Sequence, residues 1–225
     1  MKVELINHTP EPDLSAAHAA LTCYSEKVPE REEMTKEKIE EILGKIKDSG
    51  HHSVIEHASF TFAIKEVSRT LTHQLVRHRL ASYSQQSQRY VDIESFDPVV
   101  PDTIKENDEA KEKFDDLMEE VKDTYTELKE IDDVPLEDAR FVLPNATKSN
   151  IIVTMNAREL WHFFSLRCCK RAQWEIRDMA NRMLELVREE APIIFEEAGA
   201  PCVRGPCTES EEFFCGEPIQ SEKSK

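Results

Sequence analysis

Between Ser59 and Val76 the spacing of apolar side chains changes from every second residue to every third or fourth. A chain that does both within one short stretch can be neither all helix nor all strand. Phe60, Phe62 and Ile64 fall on one face of an extended segment running from Ser59 to Val67. Thr70, Leu71, Leu75 and Val76 then recur at helical spacing. Elsewhere Val3 to Ile6 and Ile151 to Met155 suit strands, and Arg89 to Ile93 alternates like a third. The alanine-rich run from Leu14 to Tyr24 suits a helix after Pro10 and Pro12. Thr35 is placed to cap a helix through Ser49 that carries Ile39, Ile42, Leu43 and Ile46 on one face and stops at Gly50.

Asp102 to Asp133 reads as one long acidic helix whose stripe is Phe114, Leu117, Met118, Val121, Tyr125 and Leu128, and two more helices are expected over Ala157 to Lys170 and Ala172 to Glu190. Strands and helices do not alternate regularly, so the expected class is α+β, a small, mainly antiparallel sheet packed with several helices, some of them long. One α+β domain should occupy residues 1–199, leaving 200–225 as an irregular, cysteine-bearing tail.

The charge balance narrows the partners. Asp and Glu number 45 against 29 Lys and Arg, a formal charge of −16, which argues against wholesale nucleic-acid binding. A hydrophobic fraction of 39% is enough for a core, yet no stretch approaches the roughly 18 to 20 apolar residues of a membrane span. The first residues lack the basic-then-apolar pattern of an export signal, so the expected location is the cytoplasm and the cysteines are expected to be reduced. None of the five glycines stands in a dinucleotide-binding or P-loop spacing, so side chains must hold any phosphate.

One segment breaks the acidic pattern. From Val67 to Val91 there is no Asp or Glu, while Arg69, Arg77, Arg79 and Arg89 all lie there, interleaved with Gln74, His78, Ser82, Ser84, Gln85, Gln86, Ser87 and Gln88. Arginines answering the acidic helix through surface ion pairs would explain the charge alone, but not this density of neutral donors and acceptors. On a helix Gln74 and Arg77 would share a face, while Arg77 and Arg79 would diverge by about 200°. If extended, Ser87 and Arg89 would project to one side, a hydroxyl beside a guanidinium suited to a terminal phosphate. In the later cluster Arg158 and His162 share a helix face, and the step from Asn156 to Arg167 returns to nearly the same angle.

The run Arg77-His78-Arg79, followed by Ser82, Ser87 and Arg89, resembles the signature of the flavin-dependent thymidylate synthases. The blocks Gly50 to His57, Ala139 to Pro144 and Asn156 to Arg167 resemble that family's other conserved segments. The resemblance implies conversion of dUMP to dTMP, with 5,10-methylenetetrahydrofolate as carbon donor and NADPH as reductant through FAD, in a homotetramer whose active sites form at subunit interfaces. It places Arg77, His78, Arg79 and Gln85 on FAD, together with Ser53, Asn156, Ala157, Arg158 and His162. It places Gln74, Leu75, Val76, Arg77, Gln85, Gln86, Ser87, Gln88, Arg89, Arg140 and Arg167 on dUMP. Arg167 takes the activating role, because a fixed guanidinium at the uracil edge stabilises the charge that must develop on the ring. Many members carry a glutamate where this chain has Gln85, which can bind but cannot accept a proton as a carboxylate does.

Competing readings are a nucleic-acid-binding or regulatory module that uses the arginines as a phosphate track, and a flavoprotein acting on another nucleotide. Cys168 and Cys169 read as packing residues rather than nucleophiles. Cys202, Cys207 and Cys215 offer three ligands without a nearby histidine, and no metal is expected.

Overall fold

A computed structural model describes residues 1–93 and 96–218. It is α+β, with a four-stranded antiparallel sheet in the order β1-β2-β4-β3, formed by β1 (Lys2–His8), β2 (Ser59–Ser68), β3 (Ala81–Gln85) and β4 (Lys148–Asn156). The alternation read from the sequence is the alternation of burial: Phe60, Phe62 and Ile64 are all fully buried, as are Ile151, Val153 and Met155 on β4.

The helices are α1 (Pro12–Thr22), α2 (Lys36–Ser49), α3 (Arg69–Leu75), α4 (Asp102–Lys105), α5 (Asp108–Glu130), α6 (Leu136–Ala139), α7 (Ala157–Arg167), α8 (Trp174–Glu190) and α9 (Pro192–Phe195). The α2 boundaries follow the local signals. Thr35 Oγ1 accepts the Lys38 amide at 3.3 Å, and Gly50 ends the helix at φ 70°, a left-handed position that costs an L side chain energy.

Two expectations need correction. The long acidic helix is two, because Asn107 leaves helical geometry and its side chain accepts the Ala110 amide at 3.0 Å, capping a new helix at Asp108. The third strand is Ala81–Gln85, not Arg89 to Ile93. There the chain turns instead, the Tyr90 and Val91 amides both donating to the Ser87 carbonyl.

The chain divides into two compact units. The first comprises residues 1–2, 64–77 and 84–151, with Ile64, Val67, Leu71, Leu75, Met118 and Tyr125 in its core. On its helix α5, Met118 and Tyr125 are buried while Leu117, expected in the same stripe, is 53% exposed. The second comprises residues 3–63, 78–83 and 152 onward. Its core is centred on aromatic rings in edge-to-face contact: Phe195 meets Phe60 at 5.4 Å and Phe164 at 6.0 Å, and Phe164 meets Phe163 at 5.6 Å. Among the described residues no helix is long and apolar enough to cross a membrane.

Candidate functional site

In the first unit, β2 runs directly into α3. Ser68 makes the junction by accepting the Leu71 amide at 3.0 Å, so Arg69 opens the helix. Burial and the neighbouring Arg140 charge both draw the Arg69 pKa below its usual value, which sets two guanidinium groups against each other. The helix ends at Leu75, which is buried. Arg77 therefore lies beyond it, exposed, and donates from Nη2 to His73 Nε2 at 3.1 Å. The shared helical face expected for Gln74 and Arg77 gives way to a turn in which the Arg77 amide donates to the Gln74 carbonyl at 3.3 Å, while Gln74 Nε2 donates back within α3 to the Thr70 carbonyl at 3.4 Å. Val76 is 38% exposed.

Gln85, at the end of β3, donates from Nε2 to the hydroxyls of Thr72 and Ser149, each at 3.1 Å. Gln86 Oε1 accepts from Asn150 at 2.8 Å. Ser87 and Arg89 do not form the expected side-by-side clamp, because the turn aims the Ser87 hydroxyl at the Arg89 amide, 3.2 Å away. The Arg89 guanidinium instead pairs with Glu137 at 2.5 Å and lies 5.3 Å above the Tyr90 ring. Glu137 also accepts the Arg140 Nε through its carbonyl at 3.0 Å. Gln88 Nε2 is buried without a partner among the described residues.

The second unit holds the rest. Ser53 is exposed on the 3₁₀ turn His52–His57. Asn156 caps α7 by accepting the Glu159 amide at 2.9 Å, and the buried Ala157 amide donates to the Ala58 carbonyl at 2.8 Å. Arg158 and His162 are both exposed on α7, with Arg158 paired to Glu56. Arg79 is exposed. His78, by contrast, is 5% exposed.

The His78 Nε2 accepts from Arg167 Nε at 3.1 Å, its Nδ1 lies 3.5 Å from Glu159 Oε1, and its carbonyl takes the Tyr83 hydroxyl at 2.8 Å. Since Nε2 is the acceptor, the ring proton belongs on Nδ1, facing Glu159. Burial, helped by the Arg167 and His162 charges, holds the imidazole pKa down at about 4. Burial also raises the Glu159 carboxyl. Arg167 is thus gripped from behind by a neutral histidine that a buried glutamate orients.

The pH dependence of stability follows. The unfolded chain binds the His78 proton near 6.5 while the folded chain binds it only near 4. Stability is therefore complete above pH 6.5 and is withdrawn as pH falls toward 4, by up to about 3 kcal/mol. Glu159 acts in the opposite sense, so the readout is a difference between proteins. The melting temperature of His78→Gln should fall less steeply than that of the wild type over that range. Equal slopes would mean that the folded ring titrates normally.

Sequence reasoning missed Glu159, Tyr83, Glu137, Thr72 and Ser149. Only Glu159 carried a signal: an acid on the buried face of α7, among Leu160, Phe163 and Phe164.

One contrast organises both units. Arg89 and Arg158 pair with carboxylates, but Arg69, Arg77, Arg79, Arg140 and Arg167 form no salt bridge among the described residues. In a chain carrying 45 acidic residues, internal ion pairing does not account for them.

Cys168 is buried, and burial pushes its thiol up to about 12, so it is not a thiolate at neutral pH. Cys168→Ala should keep turnover within about threefold of the wild type, the ordinary range for a packing change away from the chemistry. Loss of activity in a folded Cys168→Ala protein would restore a thiol mechanism.

Residues 4–193 match the family model described as thymidylate synthase complementing protein. Curated relatives named flavin-dependent thymidylate synthase include one from Geobacter sulfurreducens, 52% identical over 220 residues that cover 96% of this chain and 94% of the relative. Another, from Nitratidesulfovibrio vulgaris, is 52% identical with the same coverages, and one from Clostridium tetani is 43% identical over 99% of this chain and 96% of its own length. The chain belongs to the flavin-dependent thymidylate synthase family.

Proposed function

We propose that this chain methylates dUMP to dTMP, taking the one-carbon unit from 5,10-methylenetetrahydrofolate and reducing equivalents from NADPH through FAD. The observation that carries this reading is the set of five arginines without carboxylate partners among the described residues. Phosphate esters are the anions that such guanidinium groups pair with bidentately. The donor set fits a flavin dinucleotide and a nucleoside monophosphate, and the unpartnered Gln88 amide is a further donor for them.

In the first unit, Arg69, Arg77 and Arg140 would bind dUMP with the segment from Gln85 to Arg89. In the second, Ser53, Arg79, Asn156, Arg158 and His162 would hold FAD. When bound there, the flavin would supply the hydride-transfer chemistry. The protein's own contribution to the chemistry is Arg167, fixed at the uracil edge to stabilise negative charge on the ring. His78 and Glu159 are positioning residues for that guanidinium. Glu159→Leu, which removes the acceptor facing Nδ1, should lower kcat about tenfold with little change in KM for dUMP, while Glu159→Gln restores most of the loss. Equal defects in the two variants would make Glu159 merely structural.

Assembly as a homotetramer is supported by large apolar side chains left exposed beside these residues: Phe141 at 82%, Tyr90 at 75% and Leu80 at 74%. That no cysteine is in a disulfide among the described residues fits the reducing cytoplasm. The test is an absorption spectrum of the purified protein before and after anaerobic NADPH addition with dUMP present. A flavin band bleached in a dUMP-dependent way is expected. A colourless protein that binds nucleic acid with steep salt dependence would overturn the reading.

A further inference from the structure

We propose that Cys169, Cys202, Cys207 and Cys215 form a tetrahedral zinc site. All four belong to the second unit and line one small cavity, although Cys169 follows α7 and the other three lie in the tail. The sequence displays three thiols in the tail, and the fold adds the fourth that a closed structural zinc site requires. Four residues separate Cys202 from Cys207, within the range of paired zinc ligands.

The tail has few anchors of its own, chiefly Arg204, which lies 5.0 Å above the Trp161 ring and donates to the Glu197 carbonyl at 2.8 Å. None of residues 201–218 is buried, and their regular structure is confined to the 3₁₀ turns Pro201–Val203 and Glu211–Phe213. The segment nevertheless folds back on the turn after α7. Lys170 pairs with Glu217, Arg171 pairs with Glu209, and the Arg171 guanidinium lies 4.4 Å above the Phe213 ring. Exposed ion pairs contribute at most about 1 kcal/mol each, too little to order a segment without an apolar core. A metal clip supplies that missing term.

Charge and ligand type agree. Zinc with four thiolates carries a net charge of about −2, each thiol having released its proton; Lys170 and Arg171 line the cavity together with their partners Glu217 and Glu209, and would answer that charge by exchanging those carboxylates for the metal centre. Four sulfur donors select zinc over calcium or magnesium. Among the described residues no three potential ligands stand close enough to hold an ion. Binding zinc therefore requires the four thiols to draw together from where they stand. Three of the four ligands lie beyond residues 4–193 that the family model matches, so the site is an addition to the catalytic region.

The test uses the full chain, purified without chelator, with metal measured by atomic emission. About one zinc per chain is expected. Cys169→Ser, Cys202→Ser, Cys207→Ser and Cys215→Ser should each lower bound zinc by about tenfold, while Cys23→Ser and Cys168→Ser retain it. Cobalt added to the reduced apoprotein should give the visible bands of tetrahedral thiolate coordination, a readout on the wild type that holds even if a variant fails to fold. Less than about a tenth of a zinc ion per wild-type chain with no cobalt bands would overturn the site. So would iron with acid-labile sulfide, disulfides among these cysteines, or zinc unchanged in the four variants.

Discussion

Replacing Arg167 by alanine should cut dTMP formation by about a hundred- to a thousandfold while FAD stays bound and is still reduced by NADPH. That is the range for removing one preorganised donor from developing negative charge. The Arg167 Nε is committed to His78 at 3.1 Å, which leaves the outer nitrogens of the fork to face a ligand, and no carboxylate among the described residues competes for them. Arg167→Lys should recover little, because an ammonium cannot both donate to His78 and present a planar pair of N–H groups. Flavin content measured by absorbance separates the outcomes. If alanine at this position empties the protein of flavin, the guanidinium serves the cofactor and not the pyrimidine.

The largest effect on stability is expected at Phe164. The side chain is fully buried between Phe163, at 5.6 Å and 62°, and Phe195, at 6.0 Å and 76°. Phe164→Ala should cost about 3 to 5 kcal/mol through lost burial and the cavity left behind. For a chain of this size the melting temperature should fall by on the order of 10 °C. Because Phe164 lies on the same helix as Arg167, kcat should fall with it as the helix loosens. Leu117→Ala, on the exposed side of α5, is the control and should stay within about 0.5 kcal/mol. Chemical denaturation of both variants decides this. A loss at Phe164 no larger than at Leu117 would mean that the aromatic cluster does not hold the unit together.

What the sequence revealed, and what it concealed, divides along physical lines. Periodicity over several residues survives tertiary packing, so β2, β4, α2, α7 and α8 stand close to where spacing and caps put them. The break at Asn107 was missed because acidic helix formers lie on both sides, and a single capping side chain outweighs them. The false strand at Arg89 arose because a turn closed by backbone bonds to Ser87 leaves no mark on hydropathy.

At the site, residue types were legible and their engagements were not. Arg77, His78 and Arg79 are consecutive, yet the structure buries the middle one and exposes its neighbours. The ring packs on α7, more than 80 positions away, where it meets Phe163 edge-on at 4.9 Å, Arg167 Nε at 3.1 Å and the Glu159 carboxyl at 3.5 Å. Gln85 shows the same limit. Its amide donates to Thr72 and Ser149, whereas a glutamate there could only accept from those hydroxyls.

The Asp13 carboxylate accepts the backbone amides of Ile193 at 3.1 Å and Ile194 at 3.0 Å, partners about 180 positions further along the chain. A ribosome must therefore have released almost everything up to α9 before the second unit can shut. Its early segments, α1, α2 and the start of β2, emerge long before their counterparts. Closing so long a loop is slow, and in the interval Phe60 and Phe62 stand open to other nascent chains. The edge-to-face contact of Phe60 with Phe195 must wait for that same release.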